Sequence, residues 1–153
     1  MKPLRIGLAG LLLLLGGCDL LPEDDPDTGA LDAAEKQWDE AGISDYQLTL
    51  GFSCFCIPTD DFSGPGEFVI VVRNAAIESA FRTDSGEYLS TAQAQSLPTV
   101  DALFDKIRDA YRRDADLIQA DYDATYGFPT DLKINSNTKV PDAGVTYSIR
   151  DFM

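Results

Sequence analysis

Cys54 and Cys56 are separated by a single residue in this 153-residue sequence. Their spacing indicates reactive thiol chemistry more directly than any other pair of side chains in the sequence. In an oxidising compartment such a pair either forms a disulfide or stays buried and inert. Residues i and i+2 of a regular strand lie about 6.5 to 7 Å apart, near the upper limit of disulfide geometry, so a bond needs a bend, which Pro58 favours. We expect a structural disulfide at a strand end. A redox pair or a soft-metal site is the alternative, although two ligands fall short of the four in a closed zinc site.

A second group of candidate residues lies between positions 121 and 131 and combines acids with tyrosines. Its aspartates offer the oxygen ligands that calcium prefers, and its aromatic rings could form a flat recognition surface. The spacing does not match the calcium loop, because the middle acid and the terminal glutamate are missing. The simpler interpretation is a hairpin shaped by Gly127 and Pro129. We predict no metal and no cofactor, and we keep as candidate binding residues Asp121, Tyr122, Asp123, Tyr126 and Asp131.

The overall charge restricts the partners that such residues could meet. With 26 acidic and 12 basic residues, the net charge is −14, which repels nucleic-acid phosphates. We therefore expect no nucleic-acid partner and favour a basic protein. The sequence has no histidine, which excludes a Ser-His-Asp triad and a histidine-based zinc site.

The first residues are typical of an export signal. Lys2 and Arg5 precede an apolar run from Ile6 to Leu15, which is much shorter than the roughly 20 residues of a membrane span. The segment Leu15-Gly16-Gly17-Cys18 resembles the lipobox of bacterial lipoproteins, which implies lipidation of Cys18 after cleavage. An ordinary cleaved signal peptide or a short buried helix is the alternative. Loss of Lys2 and Arg5 would take the net charge from −14 to −16.

These features divide the chain into three parts. We expect a signal peptide over residues 1–17, an acidic tether over 18–29 and one folded domain over 30–153. The domain would be held through the lipid on Cys18 at the cell membrane or outer membrane, on the periplasmic side.

The elements that must position the candidate residues follow from hydrophobic periodicity. The first helix is predicted over Leu31 to Ala41, with Trp38 in the core and Gly42 after its end, and a second helix is predicted after Thr99. Alternating residues predict a strand from Asp45 to Cys56. The remaining strands are predicted over 68–72, 77–81, 117–123, 130–135 and 145–151. We therefore expect an α+β fold with an antiparallel sheet of about five or six strands, two helices on one face, and the order α-β-β-β-α-β-β-β.

Several segments together resemble a known family. They are Trp38, GISDYQLTL at 42–50, CFC at 54–56, TVDALFDKI at 99–107 and ADYDATYGFPTDLKI at 120–134. They resemble the domain of unknown function 6174 family, small exported bacterial proteins of which many are lipoproteins. One departure is Asn74-Ala75 where Asn-Gly is expected in a hairpin. The resemblance implies fold and location and brings no activity.

The functional prediction is therefore a membrane-anchored envelope lipoprotein of unknown activity that acts as a non-enzymatic binding module. The alternative is a thiol-redox or carboxylate-based enzyme accessory that uses Cys54 and Cys56, or Asp121 and Asp123.

Overall fold

A computed structural model describes residues 28–140 and 143–153. The predicted leader and Cys18 lie outside these residues, as does most of the tether. In chain order the elements are α1 (Gly29–Ala41), β1 (Tyr46–Cys54), β2 (Gly66–Arg73), β3 (Ala76–Arg82), α2 (Thr91–Gln95), α3 (Val100–Arg112), β4 (Leu117–Tyr122), β5 (Pro129–Asn135) and β6 (Gly144–Arg150).

The described strands form one six-stranded antiparallel sheet in the order β3-β2-β1-β6-β5-β4. β1 and β6 are adjacent at the centre of the sheet although they are far apart in the sequence. Their pairing joins the three-stranded half β1–β3 to the three-stranded half β4–β6. β3 and β4 form the two edges. The predicted α+β class with an antiparallel sheet is confirmed.

One face of the sheet is buried beneath the helices. Alternate residues of β1 and β2, such as Leu50 and Ile70, point to this face and are fully buried. Buried residues of α1, α2 and α3 belong to the same hydrophobic cluster, so all three helices cover the same side. Apolar side chains recur every second residue in the strands and every 3.6 residues in the helices, and both sets pack into this single core.

Both predicted helices form, and α1 begins at Gly29, two residues before its predicted start. Thr99 Oγ1 accepts a hydrogen bond of 3.2 Å from the Ala102 backbone N–H, which caps α3. Gly42 follows α1 with a φ of 60°, a left-handed conformation that glycine adopts without steric cost. Arg108 of α3 joins the helices through ion pairs with Asp32 and Glu35 of α1, and its hydrogen bond to Glu35 raises the pKa of the guanidinium.

Trp38 anchors one end of the core, as predicted. Its ring makes an edge contact with Tyr46 at a centroid distance of 5.6 Å, and its Nε1–H donates to Asp101 Oδ1 at 2.9 Å. Phe152 lies 5.9 Å from the same ring and stacks on Phe128 at 4.5 Å. This aromatic cluster fixes the end of the chain and the end of α1 at the side of the sheet where β1 begins.

The predicted order is incomplete, because it places no helix in the segment from Thr83 to Pro98. This segment contains α2, whose start is fixed by a capping box: Ser90 Oγ accepts from the Gln93 N–H, and Gln93 Oε1 accepts from the Ser90 N–H. The same segment pairs back on β3, where Leu89 N–H donates to Ala80 O at 2.9 Å.

Element ends differ by small amounts, with one consequence for the cysteines. β1 ends at Cys54, because the chain bends at Phe55, so Cys56 lies outside the strand that was predicted to include it. The turn at Asn74 and Ala75 forms as predicted, and Ala75 adopts a φ of 60° that the expected glycine would take more readily.

Candidate functional site

The face of the sheet away from the helices is called here the open face. Along each strand it carries the residues that alternate with the core residues, for example Gln47, Gly51 and Ser53 on β1. Most of these side chains are polar or small, which suits a surface that meets water or a partner rather than a second layer.

Strand register arranges five open-face residues in one row across the sheet. Asp121 is aligned with Asp131, Asp131 with Ser148, Ser148 with Gly51, and Gly51 with Glu67. Ser148 is the middle residue of the row, and Gly51 lies beside it, where a Cβ would collide with Ser148 Oγ. The row is therefore low at its centre and acidic at both ends.

Asp121 and Asp131, called here the acidic pair, are the part of the row that stands out physically. Both are exposed, and they are direct cross-strand neighbours on β4 and β5. Directly opposite like charges destabilise an antiparallel sheet. Within residues 28–140 and 143–153 neither carboxylate makes an ion pair, and Lys133 follows two residues later on the same face without forming one either.

Glu67, at the opposite end of the row, has its charge satisfied. Its Oε2 pairs with Arg150 of β6, across the intervening strand β1, and its Oε1 accepts a hydrogen bond of 3.2 Å from Thr83 Oγ1. The two acidic ends of the row therefore differ. The charge of Glu67 is neutralised by Arg150, whereas the charges of Asp121 and Asp131 are not neutralised by an ion pair within the described residues.

The acidic pair lies beside a free strand edge. Within residues 28–140 and 143–153, β4 is hydrogen-bonded to β5 on one side only, and a cavity of about 560 Å³ runs along it. Gln119, Asp121, Asp131 and Lys133 line the cavity from the open face. An unpaired edge presents backbone N–H and C=O groups that another extended chain can bind.

Tyr122 does not join the acidic pair. It points to the helix-covered face, where its ring stacks on Phe104 with centroids 6.3 Å apart. Burial raises the pKa of Tyr122 to about 12. Its role is packing between β4 and α3.

Asp123 and Tyr126 belong to the turn between β4 and β5. Asp123 Oδ1 accepts from the Thr125 N–H at 2.9 Å and from the Tyr126 N–H at 2.7 Å, so this carboxylate caps the turn. Gly127, with a φ of 81°, passes so close to the Ala34 carbonyl that a side chain would collide with it. Tyr126 is partly exposed, with its ring 5.9 Å from that of Phe152.

The two cysteines form a separate feature at the end of β1. Their sulfur atoms lie in bonding contact and their Cα atoms are 5.3 Å apart, which is consistent with the expected disulfide. The bend at Phe55 provides the shortening that a regular strand lacks. Among the residues that the structure describes there is no group of three or more side chains suited to holding a metal ion.

Of the five candidate binding residues that the sequence indicated, the structure brings only Asp121 and Asp131 together on the open face. The small residues Gly51 and Ser148, which lie in the same row, were not among the predicted site residues. The strict alternation in Leu48-Thr49-Leu50-Gly51 was a usable signal, because it assigns Gly51 to the face opposite the core. Sequence reasoning also missed the exposure of Phe55 and Ile57 beside Cys56.

These observations define a class: a single antiparallel sheet covered by helices on one side, with a polar open face and, in the part of the chain that the structure describes, no strand paired to the outer side of β4. The matching family model spans residues 30–153, so the chain belongs to the family of unknown function DUF6174. No curated protein and no solved structure matches the chain. In the described ranges no helix is both long enough and apolar enough to cross a bilayer.

Proposed function

We propose that this chain is a bacterial envelope lipoprotein, anchored through a lipid on Cys18, whose domain binds a basic segment of a partner protein. The binding site in this proposal is the free edge of β4 together with the acidic pair. The observation that carries it is the placement of two exposed like-charged carboxylates, without an ion pair in the described chain, beside a strand edge that has no neighbour there.

The chemistry of the edge defines the ligand. An extended segment would add to β4 by backbone hydrogen bonds, which give affinity without sequence preference. A lysine or arginine of that segment would lie next to the acidic pair and relieve its repulsion. The net charge of −14 for the whole sequence would attract such a segment from a distance.

The binding part of the proposal can be tested by photo-crosslinking in intact cells. A photoreactive residue replaces Gln119, which is exposed on β4, and a matched control replaces Tyr88, which is exposed beside the opposite edge. We expect a discrete crosslinked protein from position 119 and a different pattern, or none, from position 88.

Removing the charges of the acidic pair then tests whether that pair is part of the binding site. Asp121→Asn/Asp131→Asn should abolish the crosslink from position 119. In envelope extracts, ionic strength near 0.5 M should weaken it strongly, because the Debye length falls to about 4 Å. A crosslink that survives both changes would contradict the site, and the absence of any crosslink from position 119 would contradict the binding function.

The anchor is tested independently by labelling cells with a radioactive fatty acid. We expect label in the wild-type chain and none in Cys18→Ser, with mass spectrometry of the purified protein showing acyl chains on an N-terminal Cys18. An unmodified Cys18 would contradict the anchor and leave the β4 site to be judged by the crosslinks.

A further inference from the structure

The end of the domain that carries the disulfide also displays two apolar side chains to solvent. Phe55 and Ile57, called here the apolar tip, are 83% and 84% exposed, the highest values among the large apolar residues that the structure describes. They lie on either side of Cys56, whose bond to Cys54 holds the bend in the chain. The two side chains are close in sequence and form one exposed apolar patch, and such patches mark surfaces that contact proteins or membranes.

The apolar tip lies at the same end of the sheet as the start of the described chain. The end of β1 at Cys54 is aligned with Val145, which is aligned with Ile134 and, through it, with Ile118 near the start of β4. α3 ends just before β4, so its C-terminus is at this end too.

The position of α1 follows from its contacts with α3. Near the end of α3, Arg108 pairs with Asp32, and Thr28 lines a small cavity together with Tyr111. At the other end of the sheet, Trp38 of α1 bonds to Asp101 at the start of α3. α1 therefore begins at the end of the sheet that carries the apolar tip.

Chain length limits how the domain can sit on a membrane. Ten peptide units separate Cys18 from Thr28, and they span at most about 35 Å when fully extended. β1 has nine residues and is therefore about 30 Å long, so the two ends of the sheet are separated by nearly the full length of the tether. An anchored domain reaches the bilayer easily with the end where α1 begins, and only at full extension with the other.

We infer that the apolar tip inserts into the interfacial region of the bilayer to which Cys18 is anchored and orients the domain on the membrane. This inference rests on the proposed lipid anchor. Phenylalanine and isoleucine side chains gain free energy on leaving water for the acyl boundary. Asp60 and Asp61 follow in the next turn and are exposed, which favours shallow insertion into uncharged lipid over contact with anionic headgroups.

The test uses the full lipidated chain reconstituted in vesicles of zwitterionic phosphatidylcholine. Phe55→Trp places a fluorophore at the tip, while Met153→Trp places a matched one at the opposite end, where residue 153 is 73% exposed and bonded to Gln47. Trp38 is buried and contributes the same background to both variants, measured in the parent. We expect a blue shift and at least about twofold quenching by brominated lipid for Phe55→Trp, and neither for Met153→Trp.

A second substitution separates membrane insertion from burial within the protein. Ile57→Asp in the Phe55→Trp chain should remove the quenching, because a charge beside the ring opposes insertion. The inference is overturned if quenching is equal at positions 55 and 153, if it survives Ile57→Asp, or if position 55 responds only when envelope proteins are added. Mass spectrometry of the same sample distinguishes a failed anchor, with Cys18 unmodified, from a failed tip, with Cys18 acylated and Phe55→Trp unquenched.

Discussion

The two faces of the sheet are built from the same strands, but one forms the core and the other is exposed. On β2, Ile70 is fully buried against the helices, whereas its neighbour Val69 is only half-buried on the open face. On β4, Tyr122 packs under α3 and its neighbour Asp121 is exposed. Because successive side chains point to opposite faces, one face stabilises the fold by packing against the helices. The other face can carry charges that do not contribute to stability.

The comparison extends to the edges. β3 is covered by its own chain, since Arg82 N–H donates to Glu87 O and Leu89 N–H donates to Ala80 O. β4 has no such cover within the described residues. Natural sheets protect exposed edges against pairing with other chains, so an edge left open next to unpaired carboxylates is a feature that selection for stability alone does not explain.

The largest difference between the faces is expected for core truncation. Ile70→Ala should reduce the free energy of unfolding by about 3 to 4 kcal/mol, because it leaves a cavity under the helices. Val69→Ala, on the same strand, should cost about 1 kcal/mol. Urea unfolding followed by Trp38 fluorescence measures both. Equal losses would mean that the open face is covered as fully as the other.

The buried tyrosines make the covered face sensitive to alkali. Burial raises the pKa of Tyr46 from 10.0 to about 12, so folding favours its neutral form. This stabilisation is complete below pH 10 and is lost as the pH rises through 12, by roughly 2 kcal/mol at pH 12.

Unfolding measured at pH 9, 11 and 12 should therefore show falling stability with a smaller slope in Tyr46→Phe. That variant also loses the acceptor for the Val100 N–H, 3.0 Å from Tyr46 Oη, so it starts from a lower value at pH 9. A slope that is identical in both proteins would assign the alkaline loss to other groups, among them Tyr122 and Tyr147.

The covered face could be predicted from the sequence and the acidic pair could not. Alternation in β1 and the 3.6-residue period of α3 each fix which residues are buried, so Leu48, Leu50 and Ile107 follow directly. Whether Asp121 meets Asp131 depends on the length of the turn and on the irregular register between Asp121 and Tyr122, neither of which has a sequence period.

The missed helix has a different cause. α2 contains only five residues, too few for a periodic signal, and its start depends on the Ser90 and Gln93 capping box. The position of β6 beside β1 is likewise a long-range pairing, which no local pattern specifies.

A smaller effect separates two aspartates of the candidate cluster. Asp123→Ala should cost about 1 kcal/mol, because the turn loses the acceptor for two backbone N–H groups. Asp121→Ala should leave stability nearly unchanged. Thermal unfolding of both variants decides this, and a loss at Asp121 as large as that at Asp123 would give Asp121 a structural role.

The smallest effect carries the most information about function. Asp131→Asn removes one charge of the acidic pair and keeps the side-chain shape, so we expect stability to rise by about 0.3 kcal/mol. Lys133→Gln should do the reverse, since it removes a positive charge that lies two residues from Asp131 on the same face of β5. The crosslink from position 119 should weaken in Asp131→Asn. A side chain whose removal stabilises the fold and weakens binding is kept for the binding. If Asp131→Asn instead lowers stability, Lys133 already neutralises the pair within the molecule, and the open face has no charge to offer a partner there.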